Sequence, residues 1–245
     1  MRETQAIIER VRRVNETHQQ LDLAVDPALS QVKPGQYVLA RVGEDWTPYL
    51  RESWWYALSG KDTLTFERPA AIEYEPGQVV SLLGAIGQPF RFRRTLRNVL
   101  LLVHETEPAP LLSMIPSLLT SRVSVTMVLL GSAAVYTTAH LPPEVEVISG
   151  DSDMNWANRV TTVGWADQVF VVVPQPDELG HFSRVWDLFT QLRAEIPQGY
   201  LFGVFRPLLP CGTGACSACM VRTKNGHVLT CTQGPTFDLT QVLLG

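Results

Sequence analysis

The chain has 245 residues, 45% of them hydrophobic and 18% charged, with a formal net charge of -4 at pH 7. That supplies apolar material for one large or two to three small cores and excludes a disordered chain. Basic residues never run longer than the pairs Arg12-Arg13 and Arg93-Arg94, so no nucleic-acid-binding face is expected. Residues 1–10 include acidic side chains and no apolar signal segment. The longest apolar runs, residues 99–103 and 127–130, fall far short of the roughly 20 residues of a membrane span. A cytoplasmic chain with no membrane contact is the expectation.

In chain order, residues 1–95 read as short alternating stretches broken by turn signals at Lys33-Pro34-Gly35, Ser59-Gly60-Lys61-Asp62, Pro76-Gly77-Gln78 and from Gly84 to Gly87. Residues 36–42 and 63–66 look like strands of an antiparallel β-barrel. The opening, residues 4–13, reads either as part of that pattern or as a short helix. Residues 96–200 change character. Four Val- and Leu-rich runs, residues 98–103, 123–130, 144–148 and 168–173, resemble parallel strands buried on both faces. Helix-like stretches lie between or after them, residues 110–120 and 182–196. In the second, Phe182, Val185, Trp186, Phe189, Leu192 and Ile196 recur at spacings of three and four. Strands alternating with helices predict an α/β layer. Asp151 and Asp153 read as a loop with a helix cap at Asp153, and His104 and His181 as loop positions without a ligand role. Residues 201–245 form a third segment.

That third segment holds every cysteine: Cys211, Cys216, Cys219 and Cys231. The run Cys211-Gly-Thr-Gly-Ala-Cys216-Ser-Ala-Cys219 followed by a distant Cys231 is the plant-type spacing of a [2Fe–2S] site. Gly212 and Gly214 let the loop curl with positive φ and aim N–H groups at sulfur. A structural zinc site would carry two short Cys-x2-Cys knuckles, and there is one. Asn225-Gly226 predicts a hairpin ahead of Cys231. A three-residue loop with a bulge at Gly226 pairs Cys219 with Cys231 on one face. A two-residue loop pairs Cys219 with Thr232 and turns Cys231 away, so the bulged turn is favoured.

With these residues in view, the chain resembles the electron-transfer subunit of dihydroorotate dehydrogenase B. The likeness is tightest over residues 211–242, including the tail Cys231-Thr-Gln-Gly234-Pro235-Thr-Phe237-Asp238. The resemblance implies a ferredoxin-reductase-like fold: a flavin-binding barrel (1–95), a nicotinamide-type α/β domain (96–200) and a C-terminal [2Fe–2S] module (201–245). It implies that Cys211 and Cys216 hold one iron and Cys219 and Cys231 the other. It also implies a role in pyrimidine biosynthesis. The family's Arg-x-x-Ser flavin motif falls on Pro48-Tyr-Leu-Arg51-Glu52-Ser53-Trp54-Trp55. Arg51 matches, and the serine slot falls on Trp54 unless the register slips to Ser53. The family's Gly-Pro-Leu-Gly turn corresponds to Leu83-Gly84-Ala85-Ile86-Gly87-Gln88-Pro89-Phe90. Arg51, Ser53, Trp54, Gly84 and Gly87 are therefore the implied FAD contacts, with Trp54 or Trp55 available for stacking. Two family features are missing. The Gly-x-Gly-Thr phosphate segment is replaced by the shorter residues 67–75, which lack glycine. The glycines that take the nicotinamide pyrophosphate become Val103, His104, Glu105 and Glu107, so NAD(P) binding is not expected.

No acid–base or nucleophile set stands out, so a catalyst acting alone is not expected. The leading reading is an electron-transfer subunit working with a flavoprotein oxidoreductase, by resemblance a dihydroorotate dehydrogenase catalytic subunit. Two readings compete with it: a non-enzymatic [2Fe–2S] adaptor or redox sensor without flavin, and a zinc-stapled binding module.

Overall fold

The structure is a computed structural model, and it describes residues 2–43 and 49–244. Pro48, the first residue of the implied flavin motif, lies outside the described residues. The first unit contains the residues up to Pro89 together with Arg206–Met220 and Leu229–Pro235. The second contains Phe90–Phe205, Val221–Val228 and the residues from Thr236 onward. The residues of the third segment are divided between these two units.

The first unit is a nearly closed antiparallel barrel of seven strands. They are β1 (Arg2–Arg13), β2 (His18–Ala24), β3 (Tyr37–Val42), β4 (Glu52–Trp54), β5 (Tyr56–Ser59), β6 (Thr63–Pro69) and β7 (Val79–Ile86), in the order β4-β3-β7-β1-β2-β6-β5. The opening residues are a strand and not a short helix. Ala6 and Ile8 are buried while Ile7 between them is 49% exposed, the period-2 signature of a strand with one face on a core. β1 completes its hydrogen bonding with β7 on one side and β2 on the other. Leu21, Leu23, Leu64, Phe66, Val80 and Leu82 fill the interior with Trp54.

The second unit is the expected α/β layer. β8 (Asn98–His104), β9 (Ser124–Leu130), β10 (Val145–Gly150), β11 (Gln168–Val172) and β12 (Leu201–Val204) run parallel, and β15 (Thr236–Asp238) adds antiparallel to β12. The order is β10-β9-β8-β11-β12-β15. Residues 99–103 are each 0% exposed, which explains their continuous apolar run: both faces of β8 are covered. The stretch 110–120 is two short helices, α1 (Ala109–Leu112) and α2 (Ile115–Thr120), each with proline in its first turn. Pro116 cannot donate back to the preceding turn, so one helix ends and another starts. α3 spans Arg159–Trp165. The amphipathic helix, α4, runs Glu178–Leu192, earlier at both ends than its apolar period suggests. Asp177 caps it by accepting the Gly180 N–H, and Arg193 ends it in extended backbone. The hairpin strands β13 (Met220–Thr223) and β14 (Gly226–Leu229) pair with each other, and α5 (Thr230–Gln233) follows directly. Among the described residues, no helix is long and apolar enough to cross a membrane.

Candidate cluster-binding site

Gly212, Gly214 and Ser217 take positive φ (65°, 83° and 56°), and the cysteine loop coils through them. The Thr213 N–H points at the Cys211 sulfur at 3.4 Å. This N–H, with further donation from Cys216, brings the Cys211 thiol down to about 6. The loop thus favours a thiolate at its first cysteine, the form that binds iron. Cys219 and Cys231 are free thiols whose sulfurs stand 3.2 Å apart, both buried. Burial, then the contact with Cys219, pushes the Cys231 thiol up to about 12, while the Gly214 N–H pulls the other way.

The hairpin reaches this arrangement by neither expected register. β13 ends at Thr223 and β14 begins at Gly226, and the Thr230 N–H donates to the Cys219 carbonyl at 3.0 Å. Cys219 therefore faces Thr230. Cys231 escapes strand parity because the chain turns at Leu229 into α5, whose first turn carries the thiol back beside Cys219. Thr230 is fully buried and its hydroxyl also donates to the Cys219 carbonyl, at 2.9 Å. Cys219 and Cys231 are thus side by side, Cys216 donates to the Cys211 sulfur, and the charge of Cys211 is felt at Cys231. Four cysteine thiolates are the ligand set that a plant-type [2Fe–2S] cluster takes. Among the described residues, no three or more His, Cys, Asp or Glu side chains are placed to hold one metal ion.

The glycine turn implied for flavin has a visible task in seating this loop. The Gly87 N–H donates to the Cys231 carbonyl at 3.1 Å, and Gln88 binds the Gly234 carbonyl through its N–H and the Thr232 carbonyl through its side chain. A Cβ at Gly87 (φ 80°) would lie 2.8 Å from both the Gly234 oxygen and Pro235 Cδ. A Cβ at Gly212 would lie 3.0 Å from Ile86 on β7 and from Leu39 on β3. Gly84 is a packing glycine, its missing Cβ 2.7 Å from Val38. Sequence reasoning missed Leu39, Ile86 and Gln88 as part of this seat. The Gln88-Pro89 step after the glycine turn was the one local signal.

The other implied flavin residues are already engaged. Arg51 donates from Nη1 to the Ser81 carbonyl and hydroxyl at 2.9 and 3.0 Å, and from Nη2 to Glu3 at 2.6 Å. Trp54 is a core residue, as a barrel tryptophan is by default. It is 1% exposed, inside the barrel between Phe66 and Tyr74, with Arg68 over its ring. Trp55 stacks on Tyr37 at 4.4 Å. Ser53 is half-buried on β4, opposite Leu39. Next to Trp54, a cavity of about 180 Å³ is bounded by Arg41, Glu52, Glu73 and Tyr74, smaller than the roughly 300 Å³ at which ligand pockets begin.

At the carboxyl ends of the parallel strands, Glu105 holds a left-handed backbone (φ 51°) and its carboxylate accepts the Ser132 N–H at 2.8 Å. The Ser132 hydroxyl and N–H lower its pKa to about 2. A Cβ at Gly131 would strike this carboxylate at 2.0 Å, so the contact fills the space there. Glu107 is exposed in the same loop. His104 is corrected from a loop residue to the buried end of β8, and His181 lies within α4. Asp153 caps no helix: α3 begins after Asn158, and Asp151 instead accepts the Asn155 N–H in a tight turn.

The chain has a ferredoxin-reductase-like fold carrying a plant-type cysteine loop. Residues 207–243 match the iron–sulfur cluster binding domain of dihydroorotate dehydrogenase B. No curated protein sequence matches the chain. Solved structures share the fold. One, described as an NADH-dependent reduced ferredoxin-NADP oxidoreductase studied for flavin-based electron bifurcation, superposes with a TM-score of 0.74 at 18% identity, over 98% of this chain and 90% of that one. The ferredoxin reductase of carbazole 1,9a-dioxygenase gives 0.58 at 15% identity, covering 82% and 68%. The flavohem-like FAD/NAD binding domain of nitric oxide dioxygenase from Vibrio cholerae O1 biovar El Tor gives 0.59 at 13%, covering 83% and 98%.

Proposed function

We propose that the chain is a cytoplasmic electron-transfer subunit that binds a [2Fe–2S] cluster through Cys211, Cys216, Cys219 and Cys231 and relays electrons to or from a flavoprotein catalytic subunit. The domain family of residues 207–243 points to a dihydroorotate dehydrogenase as that partner. The observation that carries the reading is the paired thiol set, coiled through positive-φ glycines and fixed to the barrel through Gly87. When bound, the cluster supplies one-electron chemistry. The residues of the chain hold and shield it. The Thr213 N–H stabilises a thiolate at Cys211, and the burial of Cys219 and Cys231 keeps water from the inner side.

The outer side is suited to docking. Ala215, Cys216, Ser217 and Ala218 are exposed, and Leu208 (67%) and Met220 (51%) are the large apolar side chains exposed beside them. Residues 207–221 contain no charged side chain, as in the core of an interface. Protein purified without oxygen should contain iron and sulfide in equal amounts and give a reduced-state EPR signal, and pull-down from the source cell should recover a flavoprotein. Stoichiometric zinc without sulfide would refute the cluster. A second reading, an adaptor with no flavin, is favoured by one observation: Arg51 is engaged by Glu3 and Ser81. Flavin content after reconstitution separates the two.

A further inference from the structure

In an open parallel sheet, ligands bind outside the carboxyl ends of the strands, at the point where the strand order reverses. Here that point lies between β8 and β11, because β9 follows β8 on one side and β11 flanks it on the other. His104 ends β8, and His181 lies in the first turn of α4, the helix that follows β11. Their ring centres are 5.7 Å apart. His104 is 1% exposed, and its Nε2 meets the Ser152 carbonyl at 3.1 Å.

A carbonyl only accepts, so Nε2 of His104 carries the proton and Nδ1 keeps its lone pair. A backbone carbonyl that fixes one ring nitrogen while the other faces a metal is the usual support for a histidine ligand. Neither Nδ1, of His104 or of His181, has a hydrogen-bond partner, and both are buried. Metal–nitrogen bonds of about 2.0–2.1 Å place the ring centres of two imidazoles on one metal roughly 5–6 Å apart, which the observed pair satisfies. Two charges act at His104, the Glu105 carboxylate favouring a cation there and the Arg184 guanidinium opposing it. Glu105 is held by Ser132, and Arg184 reaches the Ser152 carbonyl at 3.5 Å.

We infer that His104 and His181 form a two-imidazole site for a divalent first-row transition ion of the zinc class, its coordination completed by water or a small anion. The site stands where dinucleotide-binding relatives of this fold take their cofactor, and it is independent of the cysteine loop. The test is Zn2+ binding by calorimetry to the cluster-loaded chain, or to the chain with all four cysteines changed to serine if no cluster assembles. One equivalent of Zn2+ is expected at micromolar or tighter affinity, weakened at least about tenfold in His104→Gln and in His181→Gln and unchanged in His227→Gln. Because His104 is buried, His181→Gln decides the matter if His104→Gln does not fold. No saturable binding, or equal binding by the wild type and His181→Gln, would overturn the inference.

Discussion

The backbone N–H of Gly87 donates to the carbonyl of Cys231 at 3.1 Å, so a turn of the barrel holds the fourth cysteine of the candidate cluster. Gly87 has φ 80° and no room for a Cβ, whereas Gly77 has φ 90° and nothing within 4 Å. Alanine at either position meets the left-handed penalty of about 1–2 kcal/mol. Only at position 87 does it also collide with the Gly234–Pro235 backbone, adding about 1–3 kcal/mol. Gly87→Ala is therefore expected to lower both the melting temperature and the iron per chain, and Gly77→Ala to lower the melting temperature alone. Equal iron content in the two variants would show that this turn does not seat the cluster.

Cys231 enters the site from a helical turn and Cys211 from the coiled loop, yet both are proposed as direct ligands. Cys231→Ser and Cys211→Ser should therefore reduce iron and sulfide to a similar extent, from about two of each per chain. Thr230→Val is a gentler probe. It removes the hydroxyl that bonds the Cys219 carbonyl, at a cost of about 0.5–1.5 kcal/mol. It should lower the melting temperature while leaving the iron stoichiometry intact.

The α/β layer was legible because residues 99–103 and 168–172 announce strands buried on both faces. The cysteine spacing was legible because ligand geometry constrains sequence locally. What the sequence hid depends on contacts between distant residues. Nothing around Arg51 reveals that Glu3, far away in the chain, will engage it. Strand parity predicted the wrong partner for Cys219 because the hairpin turns at Lys224-Asn225, one residue earlier than Asn225-Gly226 suggests, and α5 then returns Cys231 beside Cys219. The reading of residues 4–13 stayed open because Ile7 and Ile8 together satisfy either period, and only pairing with β2 and β7 decides between them.

Glu105 leads to two expectations. Because its carboxylate occupies the start of the Gly131–Val135 turn, where a pyrophosphate would seek N–H groups, NADH and NADPH should bind no tighter than about millimolar. Micromolar affinity by calorimetry would show that the approach is open. The second expectation concerns acid. The folded pKa, about 2, lies below the ordinary 4.5, so the contribution of this carboxylate is complete above that ordinary value and is lost as pH falls through it toward 2. Measured in the serine-substituted chain, to avoid acid loss of a cluster, the melting-temperature gap between wild type and Glu105→Gln should close over that window.

The flavin question turns on Arg51 and Glu3. Arg51 stands where the resemblance places a contact to the flavin phosphates, but its guanidinium already binds Glu3 at 2.6 Å and Ser81 at 2.9 Å. Ser81, then Arg51, holds the Glu3 carboxyl below its ordinary pKa, so near neutral pH the competitor is an anion. An incoming diphosphate must displace it and meets its charge as it does so. Replacing Glu3 with glutamine keeps the shape and removes the charge, which should strengthen FAD binding by about tenfold, equivalent to about 1.4 kcal/mol. Arg51→Ala should abolish that gain by removing the cation itself. The measurement is FAD retained after reconstitution and desalting, read at the flavin bands after subtraction of the cluster spectrum. If Glu3→Gln and Arg51→Ala both bind FAD as the wild type does, Arg51 serves the barrel alone. If none of the three binds it, the barrel is a scaffold for the cysteine loop and the adaptor reading takes precedence.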